Sequence, residues 1–260
     1  MSKKIIADWI VEENVRLNPN YFLLRVCLDQ AIPMPEMHPG QFVQVLVKDS
    51  ATTFLRRPIS IHYIDPMKNE IGLLIQIAGD GTRHLSQLKA GDSLNIIAPL
   101  GNHFTYPDKE DKVLLIGGGV GIAPLLFFGN RLQEKGMEAD FLLGARSFND
   151  LLRLQEFDKC GKTHTTTEDG SHGEKGFVIH HTCLQSNEYT KIYTCGPKPM
   201  MFAVAKYAKE KNCFCEVSLE NTMACGIGAC LCCVEKTTTG NTCVCTEGPV
   251  FNINQLTWPI

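Results

Sequence analysis

The chain has 260 residues, of which 44% are hydrophobic and 20% charged, a globular composition with room for two compact domains and a small appendage. Its formal net charge of −3 gives no electrostatic basis for binding nucleic acid or an anionic membrane surface. No run approaches the roughly 18 apolar residues of a membrane helix, and the N-terminal segment lacks the apolar stretch of a signal peptide. We therefore expect a cytoplasmic protein without a nucleic-acid or membrane partner.

The first part of the chain, up to about residue 103, predicts β-strands. Its segments are short, β-branched and aromatic, and Gly, Pro, Asp and Asn separate them. They cover residues 21–28, 40–47, 58–64, 70–78 and 92–100. Several strands at this spacing indicate an antiparallel barrel or sandwich. The polar, proline-containing stretch at 104–112 then indicates a linker.

The second part predicts strands that alternate with helices. Residues 112–136 read as a strand, a glycine-rich turn and a helix that ends at Gly136. Another strand is expected within 138–147, and a strand, a turn and a helix within 191–211. This alternation implies a parallel α/β sheet. From about Val217 the apolar periodicity is lost, so we expect something other than a hydrophobic core to hold the last segment.

Two turns in the α/β part are suited to a nucleotide. "GGGVGIAP" (117–124) contains Gly117, Gly118, Gly119 and Gly121 between a strand and a helix, where backbone N–H groups can approach a phosphate. "CGPKPMM" (195–201) ends a strand with Cys195, Gly196 and Pro197, which leaves room for a flat ring. The spacing Gly-x-Gly-x-Gly is not the usual dinucleotide pattern, and both turns could serve only to connect a strand to a helix.

The predicted barrel has two polar elements that also suit phosphate. In "RRPIS" (56–60), Arg57 could hold a phosphate through two hydrogen bonds, and Ser60 could reach a ring edge. In "GDGTRHLSQLKAGD" (79–92), a turn with Gly81 and Thr82 precedes a short amphipathic helix. Each element alone is equally consistent with an ordinary surface.

Cysteine is concentrated near the C-terminus. Six of the twelve cysteines lie in the last 36 residues. Cys225, Cys230 and Cys233 have the C-x4-C-x2-C spacing of a plant-type [2Fe–2S] site, and both Cys243 and Cys245 are distant enough to be the fourth ligand. A zinc site is the alternative, although zinc ribbons favour two C-x2-C pairs and only Cys230 and Cys233 have that spacing.

The first four motifs, in this order, resemble the ferredoxin–NADP reductase superfamily. The resemblance implies an FAD-binding antiparallel β-barrel followed by a nicotinamide-binding α/β domain. It assigns the cysteine of the second turn, Cys195, to the place where hydride passes. The residues that it assigns to FAD are Arg57, Pro58, Ile59, Ser60, Leu74, Ile75, Gln76, Gly81 and Thr82. Those that it assigns to the nicotinamide nucleotide are Gly117, Gly118, Gly119, Gly121, Gly196 and Pro197.

The last segment indicates one particular family within this superfamily. "MACGIGAC" (223–230) followed by "VCTEGPVF" (244–251) is similar to the electron-transfer subunits of NAD-dependent dihydroorotate dehydrogenase B. This similarity implies a [2Fe–2S] cluster on Cys225, Cys230, Cys233 and Cys245, and leaves Cys232 and Cys243 as spare thiols. It predicts three domains: an FAD-binding barrel at 1–104, an NAD-binding α/β domain at 105–215 and a [2Fe–2S] domain at 216–260.

The same family implies a partner and a pathway. A separate FMN-containing catalytic subunit would oxidise dihydroorotate, and the electrons would pass through the cluster and FAD to NAD+, in a heterotetramer that serves pyrimidine synthesis. The sequence itself offers no nucleophile pattern or acidic pair that indicates a separate organic substrate site.

Three further points are open at this stage. Related reductase subunits serve ferredoxin, a hydrogenase or a sulfur-reducing flavoprotein, and a redox sensor or zinc-stabilised regulator is a non-enzymatic alternative. Arg146 could meet the 2′-phosphate of NADP or only a ribose. We expect the histidine pair 180–181 to lie on a solvated surface.

Overall fold

The N-terminal part of the chain forms a closed antiparallel barrel, as the sequence predicts. The computed structural model describes residues 4–186 and 188–260. Its barrel strands are β1 (Ile5–Asn18), β2 (Tyr21–Leu28), β3 (Phe42–Val45), β4 (Arg57–Asp65), β5 (Glu70–Gln76) and, after helix α1 (Asp80–Leu85), β6 (Ser93–Leu100). They follow the order β1-β2-β5-β4-β3-β6 around the barrel. Five of them coincide with the five predicted segments.

The first strand, β1, is the barrel element that the sequence patterns did not identify. Trp9 and Val11 point into the barrel and are 0% and 1% exposed, whereas Ile6 and Ile10 are 68% and 43% exposed. The apolar residues therefore lie on both faces, and acidic residues follow them, so no clear alternation is visible in the sequence. Pairing of β1 with both β2 and β6 closes the barrel.

The rest of the chain forms an α/β sheet and a small C-terminal segment. Its elements are β7 (Val113–Gly118), α2 (Ile122–Glu134), β8 (Ala139–Ala145), α3 (Leu154–Cys160), β9 (Thr163–Thr167), β10 (Glu174–Lys175), α4 (Cys183–Ser186), β11 (Lys191–Cys195), α5 (Lys198–Glu210), β12 (Phe214–Ser218), β13 (Val234–Thr237), β14 (Gly240–Cys243), α6 (Val244–Glu247) and β15 (Val250–Asn252). The sheet order is β10-β9-β8-β7-β11-β12-β15. Every pair is parallel except β12 with β15.

The cysteine-rich segment returns to the α/β sheet, because β15 adds to its edge beside β12. The expectation that this segment lacks a hydrophobic core is wrong. Leu219, Met223, Val244 and Phe251 are each no more than 4% exposed and share one apolar cluster with the sheet. The apolar residues are too widely spaced along the chain to show a period, yet they meet on one face.

The stretch predicted as a linker begins with a packed residue. Phe104 is fully buried, and its ring stacks on that of Phe128 with 5.2 Å between centroids. The backbone N–H of Thr105 donates to a carboxylate oxygen of Glu216 at 2.9 Å, which fixes this connection to β12. The domain limits at 104/105 and 215/216 stay predictions. Among the described residues, no helix has the length and apolar character needed to cross a membrane.

The end of the chain is held by an aromatic stack. The rings of Trp258 and Phe202 of α5 lie 4.1 Å apart at an angle of 20°, and Trp258 is 8% exposed. Its indole N–H donates to Glu235 of β13 at 3.3 Å. Trp258 therefore joins the helix α5 to the hairpin β13–β14.

Replacing Trp258 with alanine should destabilise the protein. Loss of a large buried ring costs about 3 kcal/mol in the free energy of unfolding, which lowers the melting temperature of a chain of this size by roughly 6–12 °C. The matched control is Met67→Ala, because Met67 is 90% exposed and should leave the melting temperature unchanged. Equal melting temperatures for the two variants, measured by calorimetry, would contradict the packing described here.

Candidate functional site

A cleft of about 310 Å³ lies where the barrel, the α/β sheet and the segment after β12 meet. The barrel domain contributes side chains from β3, β4, β5 and α1. The α/β domain contributes Val120, in the turn before α2, and Ala123, in the first turn of α2. The lining residues are Phe42, Arg57, Pro58, Ile59, Ser60, Leu74, Ile75, Gln76, Ala78, Thr82, Val120, Ala123, Ser218, Leu219, Glu220, Asn221, Thr222, Met223 and Pro249. The structure therefore gathers most of the residues assigned to FAD in one place.

Two neighbouring arginines have different surroundings. Arg56 is used by the barrel, since its guanidinium donates to the backbone oxygens of Gln44 and Asn95 at 3.2 and 3.1 Å. Arg57 lines the cleft, is half-buried, and forms no ion pair or side-chain hydrogen bond with the described part of the chain. A free guanidinium in a cleft fits the phosphates of FAD.

Gly81 and Thr82 lie in the first turn of α1, rather than in a turn before the helix as the sequence predicts, and this first turn lies against Arg57. A side-chain carbon added at Gly81 would come within 2.8 Å of Cδ of Arg57, so only glycine allows this approach. The hydroxyl of Thr82 accepts the N–H of Ala78 at 2.9 Å and donates to the oxygen of Gly79 at 3.1 Å. The hydroxyl is therefore used to hold the turn beside the arginine.

The two glycine turns of the α/β sheet are in direct contact. Strands β7 and β11 are neighbours, and Cys195 pairs with Gly117. A side-chain carbon at Gly121 would lie 2.5 Å from the backbone oxygen of Cys195, and one at Gly196 would lie 3.0 Å from the backbone nitrogen of Gly118. These contacts place both turns at the carboxyl ends of adjacent parallel strands, the usual position of a nucleotide site.

The remaining residues of these turns have defined positions. Gly119 has a φ of +56°, in the left-handed region that favours glycine. Pro197 precedes α5, and a side-chain carbon at Gly118 would lie 3.0 Å from its Cδ. The structure thus brings together all six glycine and proline positions that the sequence assigned to the nicotinamide nucleotide.

Cys195 lies beside an acidic residue that sequence reasoning missed. Its thiol is fully buried and donates to a carboxylate oxygen of Glu220 at 3.9 Å. Burial raises the pKa of Cys195 well above its ordinary value, so the sulfur keeps its proton. The thiol is therefore a neutral group, unlike the thiolate of a catalytic nucleophile.

Glu220 lines the cleft, and its side chain is exposed to solvent there. The protein close to its carboxyl still reduces hydration of the charged form and so raises the pKa of Glu220, although the thiol of Cys195 lowers it in part. The carboxyl thus keeps its proton to a higher pH than an ordinary glutamate. Glu220 lies two residues after the end of β12 and precedes the cysteine motif, and no motif marks it in the sequence.

The cysteine-rich loop directs backbone N–H groups at sulfur atoms. The N–H groups of Ile227 and Cys230 both donate to Sγ of Cys225 at 3.4 Å. The N–H of Gly228 donates to Sγ of Cys245 at 3.1 Å, and that of Cys245 to Sγ of Cys233 at 3.4 Å. Backbone N–H donors to cysteine sulfur are typical of iron–sulfur sites, so the residues present fit such a cluster.

The thiols of the loop differ in acidity. Partial desolvation raises the pKa of Cys225, but the backbone donors from Ile227 and Cys230 outweigh it and lower the pKa to about 6. Burial and the neighbouring thiol of Cys233 raise the pKa of Cys245 to about 12. Iron would have to supply the positive charge that holds a thiolate at Cys245.

The two other cysteines of the segment are placed differently. Cys232 is exposed, and Cys243 is half-buried at the end of β14, where it lines a second, polar cavity of about 520 Å³. Among the described residues, no backbone N–H donates to either sulfur. The loop therefore distinguishes Cys245 from Cys243 by burial and by the hydrogen bond from Gly228.

The histidine pair at 180–181 differs from the expectation at one position. His180 is exposed, but His181 is 7% exposed and lies with His164 and Cys183, whose donor atoms are all within 4.8 Å of one another. Nδ1 of His181 accepts the N–H of Cys183 at 3.0 Å, so its proton is on Nε2, which faces Glu174 at 3.5 Å. This protonation leaves Nε2 without a lone pair for a metal.

Family models cover the three parts of the chain. The FAD-binding domain of oxidoreductases matches residues 8–106, and the NAD-binding domain of oxidoreductases matches residues 115–206. The iron–sulfur cluster binding domain of dihydroorotate dehydrogenase B matches residues 220–257. The last match favours iron–sulfur over the zinc alternative.

Solved structures show the same fold. The structure of an NADH-dependent reduced ferredoxin-NADP oxidoreductase covers 97% of this chain and 90% of its own, with a TM-score of 0.86 and 27% identity. The cytochrome b5 reductase domain of Ulva prolifera nitrate reductase covers 80% of this chain and 93% of its own, with a TM-score of 0.69 and 17% identity, which indicates the fold alone.

Eight similar curated proteins share the name electron transfer subunit of dihydroorotate dehydrogenase B (NAD(+)). That of Fusobacterium nucleatum is 36% identical over 255 residues, which cover 95% of this chain and 96% of the relative. That of Shouchella clausii is 38% identical over 224 residues, which cover 84% of this chain and 86% of the relative. The chain belongs to the family of electron transfer subunits of dihydroorotate dehydrogenase B.

Proposed function

We propose that this chain passes electrons from an FMN-containing, dihydroorotate-oxidising subunit to NAD+. The relatives' name supports the dihydroorotate, the electron transfer and the NAD+ in this proposal. When bound, FAD can exchange two electrons with a nicotinamide and single electrons with an iron–sulfur cluster, which is the conversion that the three sites together require. Family membership and the arrangement of the three sites support this proposal.

The observation that carries the proposal is the short connection between the cleft and the cysteine loop. Met223 lines the cleft, and Cys225 is two residues further along the chain. Their Cα atoms are at most about 7.6 Å apart, because consecutive Cα atoms are about 3.8 Å apart. The wall of the cleft and the first cysteine of the loop are therefore neighbours, as a relay of single electrons needs.

The residues of the cleft have proposed roles. Arg57 and the turn of Gly81 and Thr82 would hold the phosphates of FAD, and Ser60 with the strand residues Leu74–Gln76 would lie along the rest of the cofactor. The contacting turns at 117–121 and 195–197 would hold the nicotinamide nucleotide. Cys195 would be the neutral thiol at the junction of the two cofactors.

The proposed cluster ligands are Cys225, Cys230, Cys233 and Cys245. Three of their sulfur atoms accept backbone N–H groups, and Cys233 and Cys245 are buried in the core. Cys232 and Cys243 stay outside this set.

Substituting serine for cysteine tests the ligand set. Cys245→Ser should lose the cluster, seen as loss of iron and of the visible absorption of the cluster, because Gly228 directs its N–H at that sulfur. The matched controls Cys243→Ser and Cys232→Ser should keep the iron content of the unaltered protein. Retention of iron in Cys245→Ser with loss in Cys243→Ser would assign the fourth ligand to Cys243.

The charge of the Glu220 side chain has a proposed effect on the reduction of the flavin by NADH. A carboxyl with a raised pKa is neutral at lower pH and becomes a carboxylate as the pH rises through that pKa. A negative charge in the cleft opposes the arrival of further negative charge from NADH. The protonated form of Glu220 is therefore the one that favours reduction.

The rate of flavin reduction by NADH should decline as Glu220 ionises. In the FAD-loaded chain, stopped-flow measurements should show a fall of roughly tenfold toward high pH, the size of an electrostatic effect of about 1.4 kcal/mol. Glu220→Gln should remove this decline, because its amide cannot ionise. The control Glu110→Gln, on an exposed loop, should keep it. An unchanged decline in Glu220→Gln would exclude Glu220 as the group responsible.

The proposed partner is the FMN-containing catalytic subunit, in a heterotetramer of two copies of each chain. Ile227 and Leu231 on the cysteine loop are 53% and 65% exposed, which leaves apolar surface at the loop for a partner. NAD is the proposed nucleotide, and the exposed Arg146 would contact a ribose. The cytoplasm is the proposed location, since none of the twelve cysteines forms a disulfide, as expected in a reducing compartment.

The direct test is an assay of the complex. Co-expression with an FMN-containing, dihydroorotate-oxidising subunit from the same organism should give a complex that converts dihydroorotate and NAD+ to orotate and NADH. Cys233→Ser should lose this activity but keep FAD and the reduction of a dye by NADH. A complex that reduces ferredoxin or sulfur compounds but not NAD+ with dihydroorotate would favour the related reductases instead.

A further inference from the structure

The side chain of Gln44 is a buried amide without a partner. Gln44 is 0% exposed, and neither its Oε1 nor its Nε2 has a hydrogen-bond partner in the described part of the chain. A buried polar group left in this state costs about 1–3 kcal/mol, and native proteins almost always satisfy such groups. The amide therefore indicates a contact with a group that is not part of this chain.

The strand directs Gln44 away from the barrel interior. Val43 and Val45, its neighbours on β3, both lie in the barrel core. Since side chains alternate along a strand, Gln44 lies on the opposite face, together with Phe42. Phe42 lines the FAD cleft, whereas Gln44 is absent from that lining. One face of β3 therefore borders the cleft at Phe42, while at Gln44 the same face packs against a second part of the protein outside the cleft.

That second part of the protein is the cysteine loop. A side-chain carbon added at Gly226 would lie 2.6 Å from Cγ of Gln44 and 2.7 Å from its Nε2. Gly226 also has a φ of +72° and follows Cys225 directly. The amide nitrogen therefore packs on the backbone of the loop beside the first proposed cluster ligand.

The backbone that carries this amide is held in place. The guanidinium of Arg56 donates to the backbone oxygen of Gln44 at 3.2 Å and to that of Asn95 at 3.1 Å, and Gln44 pairs with Pro58 and Ile97 on the neighbouring strands. A donor on a central strand with a fixed backbone is preorganised.

We propose that Nε2 of Gln44 donates a hydrogen bond to a sulfur of the iron–sulfur cluster and so raises its reduction potential. The inference rests on the proposed function, because it assumes a cluster on the cysteine loop. N–H donors to sulfur favour the reduced form, which carries one more negative charge. No covalent bond is made or broken, so Gln44 tunes electron uptake through this hydrogen bond alone.

The first test measures potentials in the FAD-loaded, cluster-containing chain by EPR-monitored redox titration. Gln44→Met keeps the length of the side chain and removes the donor. It should lower the cluster potential by about 59 mV, which is a tenfold change in the reduction equilibrium of a one-electron couple. The flavin potential should not change. The control Gln87→Met, at an exposed position outside both sites, should change neither potential.

A second measurement uses the unaltered protein, so it does not depend on how a variant folds. Protein labelled with ¹⁵N in the glutamine side-chain amides should show a ¹⁵N coupling to the reduced cluster in pulsed EPR. Absence of this coupling, an unchanged cluster potential in Gln44→Met, or a shift of the flavin potential alone would overturn the inference. If the unaltered protein contains no cluster at all, the proposed function fails instead, so the two failures are distinguishable.

Discussion

The arrangement depends on a short stretch of chain that leaves the sheet and enters the cysteine loop. Strand β12 ends at Ser218, residues 218–223 line the cleft, and the first cysteine of the loop is Cys225. Because this stretch has so few residues, the loop cannot move far from the cleft without unpairing β12. The return strand β15 pairs with β12 and fixes the other end of the segment. Covalent connection and sheet pairing together keep the cysteine loop beside the cleft.

Packing then brings the barrel and the sheet to the same place. The buried residues Phe42 of the barrel, Val217 of the sheet and Cys233 of the loop belong to one apolar cluster. The glycine turns allow two strand ends to touch, and Arg57 and Glu220 place a guanidinium and a carboxyl in the lining of the cleft.

The sequence predicts the features that depend on local spacing. The five barrel segments, the glycine turns and the cysteine motif are contiguous, so their patterns are visible without the fold. Glu220 and Gln44 could not be predicted in this way, because their roles arise from contacts with Cys195 and Gly226 that are distant along the chain. The burial of His181 and the return of β15 to the sheet escaped prediction for the same reason. Spacing alone left Cys243 and Cys245 open and the family resemblance implied Cys245, which is the sulfur that accepts the N–H of Gly228 in the folded loop.

The cleft and the cysteine loop are proposed to form one electron path within this chain. Reduction of the purified, FAD-loaded chain by NADH under anaerobic conditions, followed by EPR and iron analysis, tests this path most directly. We expect about two irons per chain, as a [2Fe–2S] cluster contains, and a rhombic cluster signal that appears on addition of NADH alone. A protein without iron, or a cluster that stays oxidised while NADH bleaches the flavin, would contradict it.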